Sequence, residues 1–359
     1  MNTLMIMAGG TGGHVYPALA VAHTLQVDGV NVFWLGTRQG IEARVVPENN
    51  IDVEWISISG IKGRGLFALV SAPFKIIYAM LQTAAIIYRR RPAAALGMGG
   101  FVSGPGGLMA RLLMVPLLIH ESNAVVGLTN KWLAKIANEV MVGFPEVLIG
   151  NRHHHYVGNP VREDIAALPL PEQRLQGRTG KRLRLLVVGG SRGAQVLNEI
   201  VPAGLASMDS VSRPEVIHQA GRGKLEVTLK LYDALGVEVN CNAFIDDMAA
   251  AYLWADLVIC RAGAMTVAEV AAAGVAAIFV PYPHAIYDHQ TLNARFLSDR
   301  GAAILLPQEQ ISDEVLATLI TKLSADRLQI LALSKKAREC ALTDASSRVA
   351  EFCREVMRA

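Results

Sequence analysis

The residues capable of chemistry gather at a few glycine-rich turns. The first is Gly9-Gly10-Thr11-Gly12-Gly13-His14. Glycines permit tight turns with positive φ and let backbone N–H groups approach a ligand. The helix start that follows favours an anion. This is not the dinucleotide fingerprint, because counted from Gly10 the third glycine would fall at Val15. His14, where loop becomes helix, is placed for general base work; the plainer reading is a structural turn with a capping histidine. A second loop, 97–107, holds six glycines in 11 residues. It could cradle another phosphate, with Ser103 offering a hydroxyl, or simply join strand to helix. A third, Gly189–Ala194, presents Ser191 as a phosphate-contacting hydroxyl.

Two further segments carry polar groups beside turns. In Asp256–Glu269 a strand ends at Cys260, the chain turns through Arg261–Ala264, and a helix is expected near Thr266. Glu269, one turn in, can accept both hydroxyls of a ribose while Thr266 and the helix terminus face a phosphate. Pro281–Asn293 contains His284, Asp288, His289 and Gln290, a set suited to hydrogen-bonding a sugar or to a solvated loop. His153-His154-His155 lacks a nearby carboxylate or cysteine partner and reads as solvated loop rather than metal site. Asp246-Asp247 reads as loop or helix cap. There is no G-x-x-x-x-G-K-[ST] loop, which argues against NTP hydrolysis.

These turns need elements to hold them. Leu4–Ala8, Asn31–Leu35, Ala93–Leu96, Pro116–His120 and Glu139–Val142 read as short buried strands, and Pro17–Gln26 as a helix. The pattern pauses over 150–182, where Gly158-Asn159-Pro160, Pro169/Pro171 and Gly177–Lys181 are turn and linker chemistry. It restarts with the strand Arg184–Val188 and its glycine loop. Strand, glycine loop and helix thus open both halves, which predicts two doubly wound α/β domains facing one another, with the site in the cleft beyond the strands' carboxyl ends.

Length and composition agree: 359 residues, 52% apolar and 18% charged, suit two generous cores. The net charge of +3 is uneven. Residues 1–162 carry 13 Lys/Arg against 8 Asp/Glu, or +5, and the rest 21 against 23, or −2. A mildly basic first half suits an anionic membrane surface or a phosphorylated substrate, or is ordinary scatter. The four cysteines form no C-x-x-C pair, which suits a reducing cytoplasm. The start MNTLMIMAGG lacks a basic region and reads as a buried strand, not a signal peptide. Leu66–Tyr88 has one charge, Lys75, in 23 residues. Ser71, Lys75, Tyr78, Gln82 and Arg89 fall in a narrow arc, so it reads as an amphipathic helix with a thin polar stripe, in the core or partly in lipid, rather than a span.

Taken in order, Gly9–His14, Gly99–Pro105, His120–Asn123 with Gly127–Asn130, Gly158–Arg162, Gly189–Ala194, Phe244–Met248 and Arg261–Glu269 resemble the MurG family of bacterial peptidoglycan glycosyltransferases. Ser122 stands where that family usually has Gln, and Arg192 where it often has an uncharged residue. The resemblance implies a GT-B fold of two Rossmann-like domains. Residues 1–162 with a returning helix, 341–359, would form the acceptor and membrane-associating domain, and 163–340 the donor domain. It implies inverting transfer of N-acetylglucosamine from UDP-N-acetylglucosamine to the C4 hydroxyl of the muramoyl-pentapeptide lipid, lipid I, at the cytoplasmic face of the inner membrane.

By the same resemblance Glu269 would hold the ribose, the backbone of Ile245 the uracil, and Ser191 with the turn Ala264, Met265, Thr266, Val267 and Ala268 the diphosphate. Asn123, Arg162 and Gln290 would contact donor sugar or phosphate, and Thr11, Gly12 and Gly13 would close over it. The acceptor pyrophosphate would sit near Gly12–His14 and Gly99, Gly100, Phe101 and Ser103. His14 would be the base or would position the acceptor. No cofactor, metal or nucleic acid is implied; other cell-wall enzymes are candidate partners. A UDP-N-acetylglucosamine 2-epimerase and a non-catalytic sugar-nucleotide scaffold are the alternatives.

Overall fold

A computed structural model describes residues 2–58, 65–147, 154–190 and 193–358. The chain divides into two compact units, Met1–Arg162 with Leu342–Ala359, and Glu163–Ala341. Each is built on a parallel sheet.

In the first unit the strands are β1 (Thr3–Ala8), β2 (Asn31–Gly36), β3 (Asp52–Trp55), β4 (Ala94–Gly99), β5 (Leu117–Glu121), β6 (Glu139–Val142) and β7 (His154–Tyr156). Their order is β3-β2-β1-β4-β5-β6-β7, parallel throughout. Leu4 to Ala8 and all of β4 are buried without alternation, as expected of strands covered on both faces. The helices are α1 (Gly12–Val27), α2 (Glu42–Glu48), α3 (Gly65–Arg90), α4 (Ser103–Leu112) and α5 (Leu128–Leu133). The helix Ala345–Arg358 packs on α1 and contributes Val349, Ala350 and Cys353 to the same core as Leu4, Trp34 and Leu96.

The second unit has β8 (Arg184–Val188), β9 (Glu215–Gln219), β10 (Asn240–Asn242), β11 (Leu257–Cys260), β12 (Ala276–Phe279) and β13 (Ile304–Leu305), ordered β10-β9-β8-β11-β12-β13 and parallel. In both sheets the order reverses beside the strand that leads into a glycine loop, the place where such sheets bind ligands.

Three readings change. First, α1 begins at Gly12, not at Pro17; Pro17 lies inside it, so the Gly13 carbonyl has no helical N–H partner. Second, the stretch taken as linker contains β7, on which His155 pairs with Glu139 at 3.0 Å and stacks on Phe352. His153 lies outside the described residues. Third, the outward side of α3 is wider than its polar stripe of Lys75, Tyr78, Gln82 and Arg89. Its buried side is Ala72, Ala79, Thr83, Ile86 and Ile87, while Phe74, Ile77, Tyr78, Leu81 and Tyr88 face out. Among the described residues no helix is long and apolar enough to cross a membrane.

Candidate active-site loops

In the first unit the register between β1 and β4 shifts at Met7/Ala8, so that Ala8 pairs with Gly99 rather than Met98. The bulge delivers Gly99 and Gly100 to the mouth of α1 with φ of +105° and +86°. A Cβ on Gly100 would fall 2.3 Å from the Gly9 carbonyl oxygen, and one on Gly99 2.6 Å from His14 Cδ2 and 3.0 Å from Nε2. Only glycine allows this approach. The two loops are thereby packed together with the His14 ring against Gly99.

His14 is half-buried in the first turn of α1. Its Nδ1 lies 3.4 Å from the Gly9 carbonyl and 3.4 Å from Thr11 Oγ1. A carbonyl only accepts, so this contact is a hydrogen bond when Nδ1 carries the proton, which leaves Nε2 as the basic nitrogen. Desolvation holds the ring below the ordinary histidine value, opposed by the charge of Glu121, the Gly9 carbonyl and the charge of Glu42. At neutral pH the imidazole is therefore unprotonated, the state a base requires.

Thr11 and Gly13 are exposed and Gly12 half-buried, while Phe101 is exposed. Ser103 is different. It is fully buried, accepts from Gly99 N at 3.2 Å, and its hydroxyl lies 3.0 Å from the carbonyls of Met7 and Gly99. The hydroxyl expected to meet a phosphate is thus used to brace the bulge.

Glu121 is a group that the sequence reading left without a role. Ending β5, it is buried and accepts from Asn123 N (3.0 Å), Asn123 Nδ2 (3.3 Å), Gly127 N (2.9 Å) and Asn130 Nδ2 (3.0 Å). The motif His120–Asn123 with Gly127–Asn130 is one carboxylate gathering its own loop. His120 beside it is buried, bonded to the Gly158 carbonyl at 2.9 Å and held below its ordinary value by desolvation. Arg162 lies with its guanidinium 5.7 Å from the Tyr16 ring centre.

In the second unit Ser191 and Arg192 lie outside the described residues. The helix Ala264–Ala273 begins at the Gly263 cap, two residues earlier than expected. Ala264 and Val267 are buried, whereas Met265, Thr266, Ala268 and Glu269 are half-buried. The first-turn N–H groups, which no capping side chain takes, and the Glu269 carboxylate are the groups this helix has for an anion or a diol. Tyr252 Oη donates to Glu269 Oε2 at 3.3 Å. Asn293, fully buried, donates to the Ala262 carbonyl at 3.1 Å and fixes the turn before the helix. Arg261 crosses to the carbonyls of Val280 and Pro281. Ile245 N donates to Gln219 Oε1 at 3.0 Å, and Gln290 Oε1 accepts from Tyr282 N at 3.0 Å. Asp247 caps the helix Met248–Trp254 through Ala250 N at 2.8 Å. His284 packs edge-on to Tyr282, and Asp288 accepts from Thr291.

This arrangement, two Rossmann-like sheets each with a glycine loop at its switch point, can be set beside known proteins. The family profile described as the glycosyltransferase family 28 N-terminal domain matches residues 4–142, and that of its C-terminal domain matches 184–349. The chain belongs to glycosyltransferase family 28. It is a glycosyltransferase with the GT-B fold.

A Nitrosococcus oceani relative is 51% identical over 353 residues, 98% of each chain. One from Dechloromonas aromatica is 48% identical over 355 residues, 99% of each. Both are named UDP-N-acetylglucosamine--N-acetylmuramyl-(pentapeptide) pyrophosphoryl-undecaprenol N-acetylglucosamine transferase. The crystal structure of Acinetobacter baumannii MurG matches with a TM-score of 0.83 and 41% identity, over 99% of this chain and 100% of that one. A Staphylococcus aureus MnaA–UDP structure, at 10% identity and a TM-score of 0.69, shares the fold alone.

Proposed function

We propose that this family 28 enzyme moves N-acetylglucosamine from UDP-N-acetylglucosamine to the C4 hydroxyl of the N-acetylmuramoyl-pentapeptide carried on undecaprenyl pyrophosphate. The observation that carries the reading is near-full-length identity of about half to relatives of that name. In this reading the C4 oxygen forms its bond to the anomeric carbon as the bond to the UDP oxygen breaks, with inversion. The hydroxyl proton passes to His14 Nε2, and UDP leaves with the bonding electrons, its charge met by backbone amides and helix N-termini.

The donor reading assigns Glu269 to the ribose diol, the Ile245 backbone to the uracil, and Ser191 with Ala264–Ala268 to the diphosphate. Asn123, Arg162 and Gln290 contact the donor sugar or phosphate, and Thr11–Gly13 close over it. The acceptor pyrophosphate is assigned to backbone amides of Gly12–His14 and Gly99–Phe101. Support comes from the pairing of an imidazole held below its ordinary value with glycine loops in one unit, and of Glu269 with a helix start that no side chain caps in the other.

The lipid-borne acceptor requires contact with a membrane. The outward residues of α3, with Leu112 (61% exposed) at the end of α4 and Met114 (81%) just after it, support peripheral binding at the cytoplasmic face of the inner membrane. Arg89 and Arg90 contribute less than their charges suggest, since they pair with Glu54 and Asp52. Lys62 and Arg64 lie outside the described residues. Other cell-wall enzymes are proposed partners on the same surface.

One experiment tests the reaction: turnover of labelled UDP-N-acetylglucosamine with and without a lipid I analogue. Disaccharide product that requires the acceptor supports the reading; a manno epimer formed from donor alone would overturn it. A His14→Ala variant that keeps donor affinity and a near-normal kcat would remove the base.

A further inference from the structure

Behind the first glycine loop lies a carboxylate that no motif announces. Glu42 opens α2 and is fully buried. Its Oε2 accepts from Gly10 N at 2.9 Å, and its Oε1 from Thr37 N at 3.1 Å and Thr37 Oγ1 at 2.7 Å. Three glycines make room for it. A Cβ would fall 1.9 Å from the carboxylate at Gly40 and 2.7 Å from it at Gly9, and 3.0 Å from its Cγ at Gly36. Burying a carboxylate is costly unless its bonds are made, and here three donors, Gly10 N, Thr37 N and Thr37 Oγ1, make them. What the carboxylate provides is a fixed direction for the Gly10 N–H.

We propose that Glu42 is a positioning residue for His14. By holding the Gly10 amide it fixes the Gly9–Gly10 peptide, whose carbonyl faces His14 Nδ1, and so sets the tautomer and aim of the imidazole. The Gly100 backbone packs close against the same carbonyl. Gly9 and Gly10 are therefore clamped between α2 and the bulge after β4. This inference rests on the reading of His14 as the base. The charged groups acting on that ring are Glu121, at the end of β5, and Glu42 itself.

The test compares Glu42→Gln, Glu42→Asp, His14→Ala and the double variant Glu42→Gln/His14→Ala in the full-length enzyme. A glutamine that keeps both Thr37 bonds turns its amide N–H toward Gly10 N–H, so the loop is released with little change in volume. Expected is a fall in kcat of about ten-fold or more with donor KM within about two-fold. The acid limb of the pH profile moves to lower pH, because a charge and a carbonyl that both raise the His14 value are lost. Nitrogen-15 spectra of the labelled histidine show loss of the Nδ1–H tautomer. The double variant is no slower than His14→Ala. An unchanged tautomer and kcat in Glu42→Gln, or an equal further loss on the His14→Ala background, would overturn the proposal. If His14→Ala is itself active, the base reading fails, while the histidine spectra still report whether Glu42 orients the ring. Should Glu42→Gln fail to fold, Glu42→Asp, which keeps the charge but not the reach, must show the same tautomer change or the proposal falls.

Discussion

The imidazole of His14 rests against the Cα of Gly99, with no room for a methyl group between them. One residue from a bulge in β4 therefore decides how open the ring edge bearing Nε2 remains.

Replacing that glycine tests the contact. Gly99→Ala places a Cβ 3.0 Å from Nε2 and strains a φ of +105°. We expect kcat to fall by about ten-fold or more and stability by about 1 kcal/mol. UDP affinity, measured by titration calorimetry, should stay within about two-fold of the parent. A variant with normal kcat would show that the ring edge is not used.

The pH profile tests the protonation state. His14 is held below its ordinary value of 6.5, so the acid limb of kcat/KM should have its midpoint below that pH. Glu121 raises the value, so Glu121→Gln should move the limb further toward acid, besides loosening the Asn123–Asn130 loop. A limb that moves toward neutral pH would mean that Glu121 does not act on His14 through its charge.

Tyr252 addresses the second unit. Its hydroxyl donates to Glu269, the carboxylate that the proposed donor reading gives to the ribose diol. Tyr252→Phe should raise the donor KM by about two- to five-fold with little change in kcat, as expected for one modest hydrogen bond. Unchanged UDP affinity would detach Glu269 from the nucleotide.

His218 makes the second unit acid-sensitive. It is buried between Tyr232 Oη (2.8 Å) and Asn198 Oδ1 (3.1 Å), and desolvation pushes it down to about 4. Its folded value lies below the unfolded one, so the unfolded chain takes up the proton first. Stability is whole above pH 6.5 and declines by up to about 3 kcal/mol as the pH falls to about 4. His218→Phe should lower stability at pH 7 by about 1–3 kcal/mol yet flatten this decline in denaturant titrations. An equally steep decline in the variant would place the acid sensitivity elsewhere.

The sequence was most informative where a pattern is local. Glycine loops after apolar runs located both switch points, and of Asp246-Asp247, read as loop or cap, Asp247 is the cap. It was least informative where a side chain's partner is distant. Ser103 looks like a phosphate hydroxyl until Met7, 96 residues away, is found to share it. Glu42 is one acidic residue in an unremarkable stretch, and only the meeting of Gly9, Gly36 and Gly40 around it shows its use. The helix was read from Pro17, but packing of Val15 and Ala18 into the core carries it on both sides of that proline. The outward apolar face of α3 could not be told from a core face by periodicity, since the same spacing serves both.

The helix Ala345–Arg358 also sets the timing of folding. A ribosome delivers β1 to β7 early, but Val349, Ala350 and Cys353, which seal the core beside α1, emerge only after the whole second unit has been made. The unit synthesised first is the one completed last. Until then its nascent form keeps an apolar flank of α1 uncovered, a surface that chaperones meet during translation.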